Sequence, residues 1–173
     1  TSSLPSDWME LPPGLRQPAA EIASQLPAEV VDAKSIVTQL GHTQDQATSL
    51  LERFQGYIKS QRELLHASAE NANWTPQKGE QDRTQKTVRA LAHSVKGAAS
   101  MICAKRIQAA SWSLQTACEA LERANGSPGQ STANRPATAA VAVWTRAVNE
   151  YLTLLDQRTA KELSEQHHPA RVE

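Results

Sequence analysis

The chain has 173 residues, enough for one domain with a sizeable core, and its 18 basic and 18 acidic side chains cancel. Zero net charge gives no global pull toward nucleic acid or a membrane surface, and no apolar run approaches the ~20 residues of a membrane span. Two cysteines, Cys103 and Cys118, are too few for a disulfide framework and point to a reducing compartment. Glycine is scarce and strand-like alternation is absent, so the composition reads as all-α. There is no signal-peptide pattern, and a start at Thr1 without Met reads as a piece of a longer protein.

Pro5, Pro12, Pro13, Pro18 and Pro27 crowd the first segment, so residues 1–30 read as a Pro-rich linker or arm, with Trp8 and Met9 available to anchor it. Asp32 is placed to cap a short helix, "AKSIVTQL", which Gly41 ends. Thr43 and Gln46 form a capping box. Behind it Ala47, Leu50, Leu51, Phe54, Tyr57, Ile58, Leu64 and Leu65 recur at helical spacing until about Glu70. "NANWTPQKGEQ" reads as a loop, and Asp82 as the cap of the next helix. A further helix runs from Lys105, with Ile107, Ala110, Leu114, Ala117, Cys118 and Leu121 as its apolar face. "NGSPGQSTANRP" reads as a loop, and Pro136 as the first turn of a last helix with the stripe Ala140, Trp144, Val148, Tyr151 and Leu155. The expected fold is an antiparallel four-helix bundle over residues 31–165. Segment 33–40 serves as a short N-terminal capping helix, and 166–173 is a disordered tail.

The helix between these loops contains "LAHSVKGAAS". At about 100° per residue, Val88, Leu91, Val95, Ala98, Ala99 and Ile102 share one side. Lys86, Arg89, His93, Lys96, Gly97 and Ser100 share the other. His93 therefore points away from the core. Gly97, one turn on, sits where Ala would suit a helix better by roughly 0.5–1 kcal/mol, so its missing side chain suggests clearance for a bulky partner. No carboxylate lies between Asp82 and Glu119, while Arg83, Lys86, Arg89, Lys96, Lys105 and Arg106 do, which predicts a local basic surface suited to an acidic partner or a phosphoryl group. Lys96, at i+3 from His93, would favour the neutral, nucleophilic imidazole and offer a point charge to phosphoryl oxygens.

The stretch "AHSVKGAASMICAKRIQAASWSLQTACEALE" resembles the signature of the histidine-containing phosphotransfer (HPt) domain family: H-x-x-K-G, a small-residue segment, a helix break and a second helix ending near L-E. Here these are His93, Lys96, Gly97, residues 98–104 and Leu121-Glu122. "VDAKSIVTQLGHTQDQATSLLERF" resembles the family's entry helices, and the likeness spans residues 30–160. Two departures stand out. Cys103 occupies the helix break where the family often has Gly, which predicts a different turn. The loop 72–82 is also long.

The resemblance implies a phosphocarrier without its own ATP site, relaying a phosphoryl group between aspartates of response-regulator receiver domains. His93 would be the phosphoacceptor, through Nε2, with Lys96 and Gly97 supporting it. Lys86, Arg89, Ala90, Ser100 and Met101 would frame the docking face. No cofactor is expected on this chain; Mg2+ is expected in the partner receiver. Nucleic-acid and membrane contacts are not expected. The parent would be a cytoplasmic hybrid sensor histidine kinase or the cytoplasmic end of a membrane-bound one, a chemotaxis-kinase phosphotransfer domain being a close variant. The alternative is a helical adaptor that binds a signalling partner without phosphotransfer.

Other residues read as structure. Cys103 and Cys118 lack Cys-x-x-Cys spacing, and His167-His168 falls in the tail, so a metal site is unfavoured. His42 reads as loop, His66 as surface and Ser111 as a small packing residue. Trp144 is assigned to the core, Trp74 to closing one bundle end, and Trp112 is left unassigned.

Overall fold

The computed structural model describes residues 8–38, 41, 43–71, 80–124 and 130–157. Within them the chain forms six helices and no strand: α1 (Pro13–Ser24), α2 (Ala33–Thr38), α3 (Gln44–Asn71), α4 (Glu80–Met101), α5 (Lys105–Ala124) and α6 (Gln130–Gln157). His42, Trp74 and its stretch 72–79, and residues 158–173 with His167 and His168 lie outside the described residues.

The apolar stripes decide which faces meet. Helices α3 to α6 close a ring in which α3 and α5 each pack on both α4 and α6. Their side-chain pairs fix the directions. The Tyr151 hydroxyl donates to the Leu51 carbonyl at 3.2 Å and Arg62 Nη1 donates to Asn149 Oδ1 at 2.8 Å, so α3 and α6 run antiparallel. Trp144 Nε1 donates to Ser111 Oγ at 2.9 Å and Arg106 Nε to Glu150 Oε2 at 2.7 Å, which sets α5 against α6 in the same sense. Leu51, Ile58, Val95, Leu114, Trp144 and Tyr151 are completely buried in the shared core, each side chain worth about 1.5–3 kcal/mol of transfer free energy. Leu64, expected inward, is 55% exposed. Ser111 fits its reading as a small packing residue and also accepts the indole N–H that would otherwise be a buried orphan.

The caps match the sequence. Asp32 Oδ1 accepts the Ser35 N–H at 3.0 Å, starting α2, whose Ile36 is completely buried. Thr43 and Gln46 exchange both bonds of a capping box, at 2.8 and 3.3 Å.

Three local readings are corrected. Residues Pro13–Ser24, expected in an extended arm, are helical, with Pro13 at the first turn and Pro18 inside. Pro18 removes one helix hydrogen bond, and tertiary burial compensates for it. Ala19 and Trp8 pack with Ala139 and Val143 of α6 in a second, smaller apolar cluster. Met9, the other proposed anchor, is 53% exposed. Helix α6 begins at Gln130, so Pro136 lies within it rather than at its start. Ala137, Ala139 and Ala140 are buried there, and the Thr138 hydroxyl donates to the Asn134 carbonyl at 2.9 Å across the turn the proline interrupts. Helix α4 begins at Glu80, which puts Asp82 in its first turn instead of at its cap.

The α4–α5 turn is the fourth correction. Cys103 adopts the left-handed conformation, φ 54°, at the place where glycine would be unstrained. The Ala104 N–H reaches the Ala99 carbonyl at 2.9 Å and the Cys103 N–H the Ser100 carbonyl at 3.3 Å, a Schellman closure. Buried Ile102 and Ala104 hold the turn on either side, and the Asp32 N–H donates to the Cys103 carbonyl at 2.9 Å. Over-determination of this kind is what sustains a strained residue.

Candidate functional site

Helix α4 separates its two faces as its periodicity requires. Val88, Leu91, Ala92, Val95, Ala99 and Ile102 are buried, while Ala90, His93, Gly97, Ser100 and Met101 are exposed. Lys86 is exposed as well, with Arg89 and Lys96 half-buried. The expected site residues thus share one open face.

A Cβ built on Gly97 would meet nothing within 4 Å among the described residues. Close helix packing among the described residues therefore does not explain the glycine. Met101 is 69% exposed at the end of the same helix.

Helix α5 contributes residues that one-helix reasoning missed. His93 Nδ1 lies 3.4 Å from Gln115 Oε1, and Gln115 Nε2 donates to Glu119 Oε1 at 3.0 Å. Lys96 Nζ stands 4.6 Å from the centroid of Trp112, which is 55% exposed. Trp112, Gln115 and Glu119 stand at i, i+3 and i+7, one flank of α5 beside its apolar stripe. That spacing was visible in the sequence. The helix it would meet was not.

The predicted basic surface is smaller than the charge pattern implied. Arg89 Nη1 pairs with Glu122 Oε2 at 3.3 Å. Lys105 pairs with Asp32 at 3.0 Å, and Arg106 with Glu150 at 2.7 Å while also donating to the Pro27 carbonyl at 2.9 Å. The carboxylates missing from the helix sequence arrive from other elements. On the same face Lys96 stands against the Trp112 ring.

The thiols are poor nucleophiles. Burial pushes Cys118 up to about 12, and burial followed by the nearby Asp32 charge raises Cys103. Both are free thiols. Hydrogen bonding from Ser35 foremost, with Lys105 beside it, lowers the Asp32 carboxyl to about 2. Among the described residues no three His, Cys, Asp or Glu side chains gather as metal ligands, and no helix is long and apolar enough to cross a membrane.

Compared with protein families, residues 44–165 match the Hpt domain. That stretch covers most of the chain, including α3 to α6 and every residue of the face just described, and the chain belongs to the Hpt domain family. Hpt domains are phosphocarriers of histidine phosphotransfer in phosphorelays, without a catalytic site of their own, and interact with receiver domains. No curated protein sequence and no solved structure gives a significant match.

Proposed function

We propose that His93 is the phosphoacceptor of this Hpt domain and relays a phosphoryl group between receiver-domain aspartates, as one module of a cytoplasmic hybrid sensor histidine kinase. One observation carries the reading: an exposed histidine shares its face with a glycine whose absent side chain would meet nothing among the described residues. In the transfer step the Nε2 lone pair attacks phosphorus in line with the acyl phosphate. The P–O bond breaks, its electron pair returns to the aspartate carboxylate, and the N–P bond leaves a positive charge on the imidazole. Such a transfer depends on positioning and charge neutralisation. The receiver supplies Mg2+ and the acidic pocket. This chain supplies the imidazole, the clearance at Gly97 and the cationic Lys96. Lys86, Arg89, Ala90, Ser100 and Met101 frame the docking face, to which the exposed Trp112 adds an aromatic anchor.

The test is transfer from a panel of labelled phospho-receivers to wild type and His93→Gln. Acid-labile, base-stable label on wild type alone supports the reading. Receiver binding and downstream signalling that survive His93→Gln unchanged would identify a helical adaptor instead.

A further inference from the structure

Lys96 follows His93 by three residues on α4, so the two side chains are neighbours on one face. The Lys96 ammonium lies over the indole of Trp112, 4.6 Å from the ring centroid. The contacts His93–Gln115 and Lys96–Trp112 are successive rungs across antiparallel α4 and α5. An aromatic face thus takes a cation one rung away from the imidazole. Trp112 is 55% exposed, so its ring is a weak, solvent-screened site for an ammonium. A phosphoryl group on the neighbouring histidine is a stronger one, because its oxygens accept charge-assisted hydrogen bonds.

We propose that Trp112 is a positioning residue that competes with phospho-His93 for the Lys96 ammonium and so keeps the phosphoryl group transferable. The proposal rests on His93 being the phosphoacceptor and on Lys96 meeting its phosphoryl oxygens. In the unphosphorylated chain the ammonium lies on the ring. Once His93 carries the phosphoryl group, the lysine side chain turns along α4 to the phosphoryl oxygens and the ring contact is given up. The ring therefore stabilises the unphosphorylated chain and not the phosphorylated one. A contact that favours one of two states shifts their equilibrium by that difference. Trp112 in this way raises the tendency of phospho-His93 to pass its group on, which a carrier that both takes and gives requires. This role is separate from docking. The equilibrium constant of transfer compares free phosphorylated with free unphosphorylated proteins, so contacts made only in the docked complex cancel from it.

Two readouts test this on the intact chain. The first is the proton NMR of the Lys96 side chain. In wild type the indole ring current shifts its terminal methylene protons upfield. Phosphorylation by phosphoramidate, in which the His93 N–P bond forms and ammonia leaves, removes the shift, and Trp112→Leu removes it without phosphorylation. The second is the equilibrium of transfer with a phospho-receiver that labels wild type. Trp112→Leu moves it about two- to threefold toward phospho-His93. In a Lys96→Met background the same substitution leaves it unchanged, because the ring then has no ammonium to hold. A ring-current shift that persists in chains carrying phospho-His93 would overturn the proposal. So would a wild-type equilibrium in Trp112→Leu, or a displacement of equal size in the Lys96→Met background. Each of these results leaves His93 as the phosphoacceptor. Absence of any phosphoryl group on wild-type His93 would overturn the phosphoacceptor reading and this proposal with it.

Discussion

Arg146 lies 4.6 Å from the ring centroid of Trp8, and Lys96 lies at the same distance from that of Trp112, yet Trp8 is 6% exposed and Trp112 55%. The contact chemistry is alike and the surroundings differ. Trp8 is closed over by α1 and α6, with Ala19, Ala139 and Val143 against it, and Arg146 is further held by Glu150 at 3.3 Å. Trp112 has a cation over its ring and more than half of its surface exposed, one helix away from His93. An aromatic side chain that has completed its burial secures a fold. One that remains open beside an exposed histidine is available to a partner.

Removing each ring should separate the two roles. Trp8→Ala opens the α1–α6 cluster and should lower stability by about 3 kcal/mol, read as a fall in denaturation midpoint, while phosphoramidate still modifies His93. Next is the link that ties the α1–α2 side to the α4–α5 turn. Asp32→Asn keeps an acceptor for the Ser35 N–H but removes the charge met by the Ser35 hydroxyl and Lys105, and should cost roughly 1–2 kcal/mol at pH 7. The Asp32 carboxyl is lowered from 3.8 to about 2 on folding, so its contribution is complete above the unfolded value and disappears as pH falls through the folded one. The stability gap between wild type and Asp32→Asn should therefore close between these two values. A gap unchanged down to pH 2 would show that the charge does not matter there.

Gly97→Ala is a sharper probe of the open face. The new methyl meets nothing among the described residues, so stability should rise by about 0.5–1 kcal/mol while transfer from a phospho-receiver slows. Reaction with the small donor phosphoramidate should persist, because it needs less clearance. The smallest stability effect belongs to Trp112→Ala, about 0.5 kcal/mol for an exposed cation–π pair, with a KM for the phospho-receiver raised about tenfold. If Trp112→Ala unfolds the chain and Trp8→Ala does not, the comparison is reversed.

The two regions also differed in how far the sequence disclosed them. On α4 the helical period sorted His93, Gly97 and Ser100 from Val88, Val95 and Ala99 without reference to any other element, and burial follows that sorting. The α1–α6 side had no such signal. Pro12, Pro13 and Pro18 argue locally for an extended arm, and Pro136 with its Ser, Thr and Asn neighbours argues for a loop. Both segments are helical because each covers the other's apolar stripe. Gln115 and Trp112 were missed for a related reason: their contacts to α4 join residues far apart in sequence. The basic surface was overestimated because charge read along one helix omits Glu122, Asp32 and Glu150, which come from elsewhere. Cys103 could not be placed from propensity, since its turn is imposed by the burial of Ile102 and Ala104 and by the hydrogen bond from Asp32.

The most direct measurement locates the phosphoryl group itself. The chain would be phosphorylated by a receiver, digested at alkaline pH where phosphohistidine survives, and mapped by mass spectrometry beside the His93→Gln variant. The account predicts one modified peptide, carrying the phosphoryl group on His93, and none in the variant. A phosphoryl group on another residue, or an equally labelled His93→Gln chain, would contradict it.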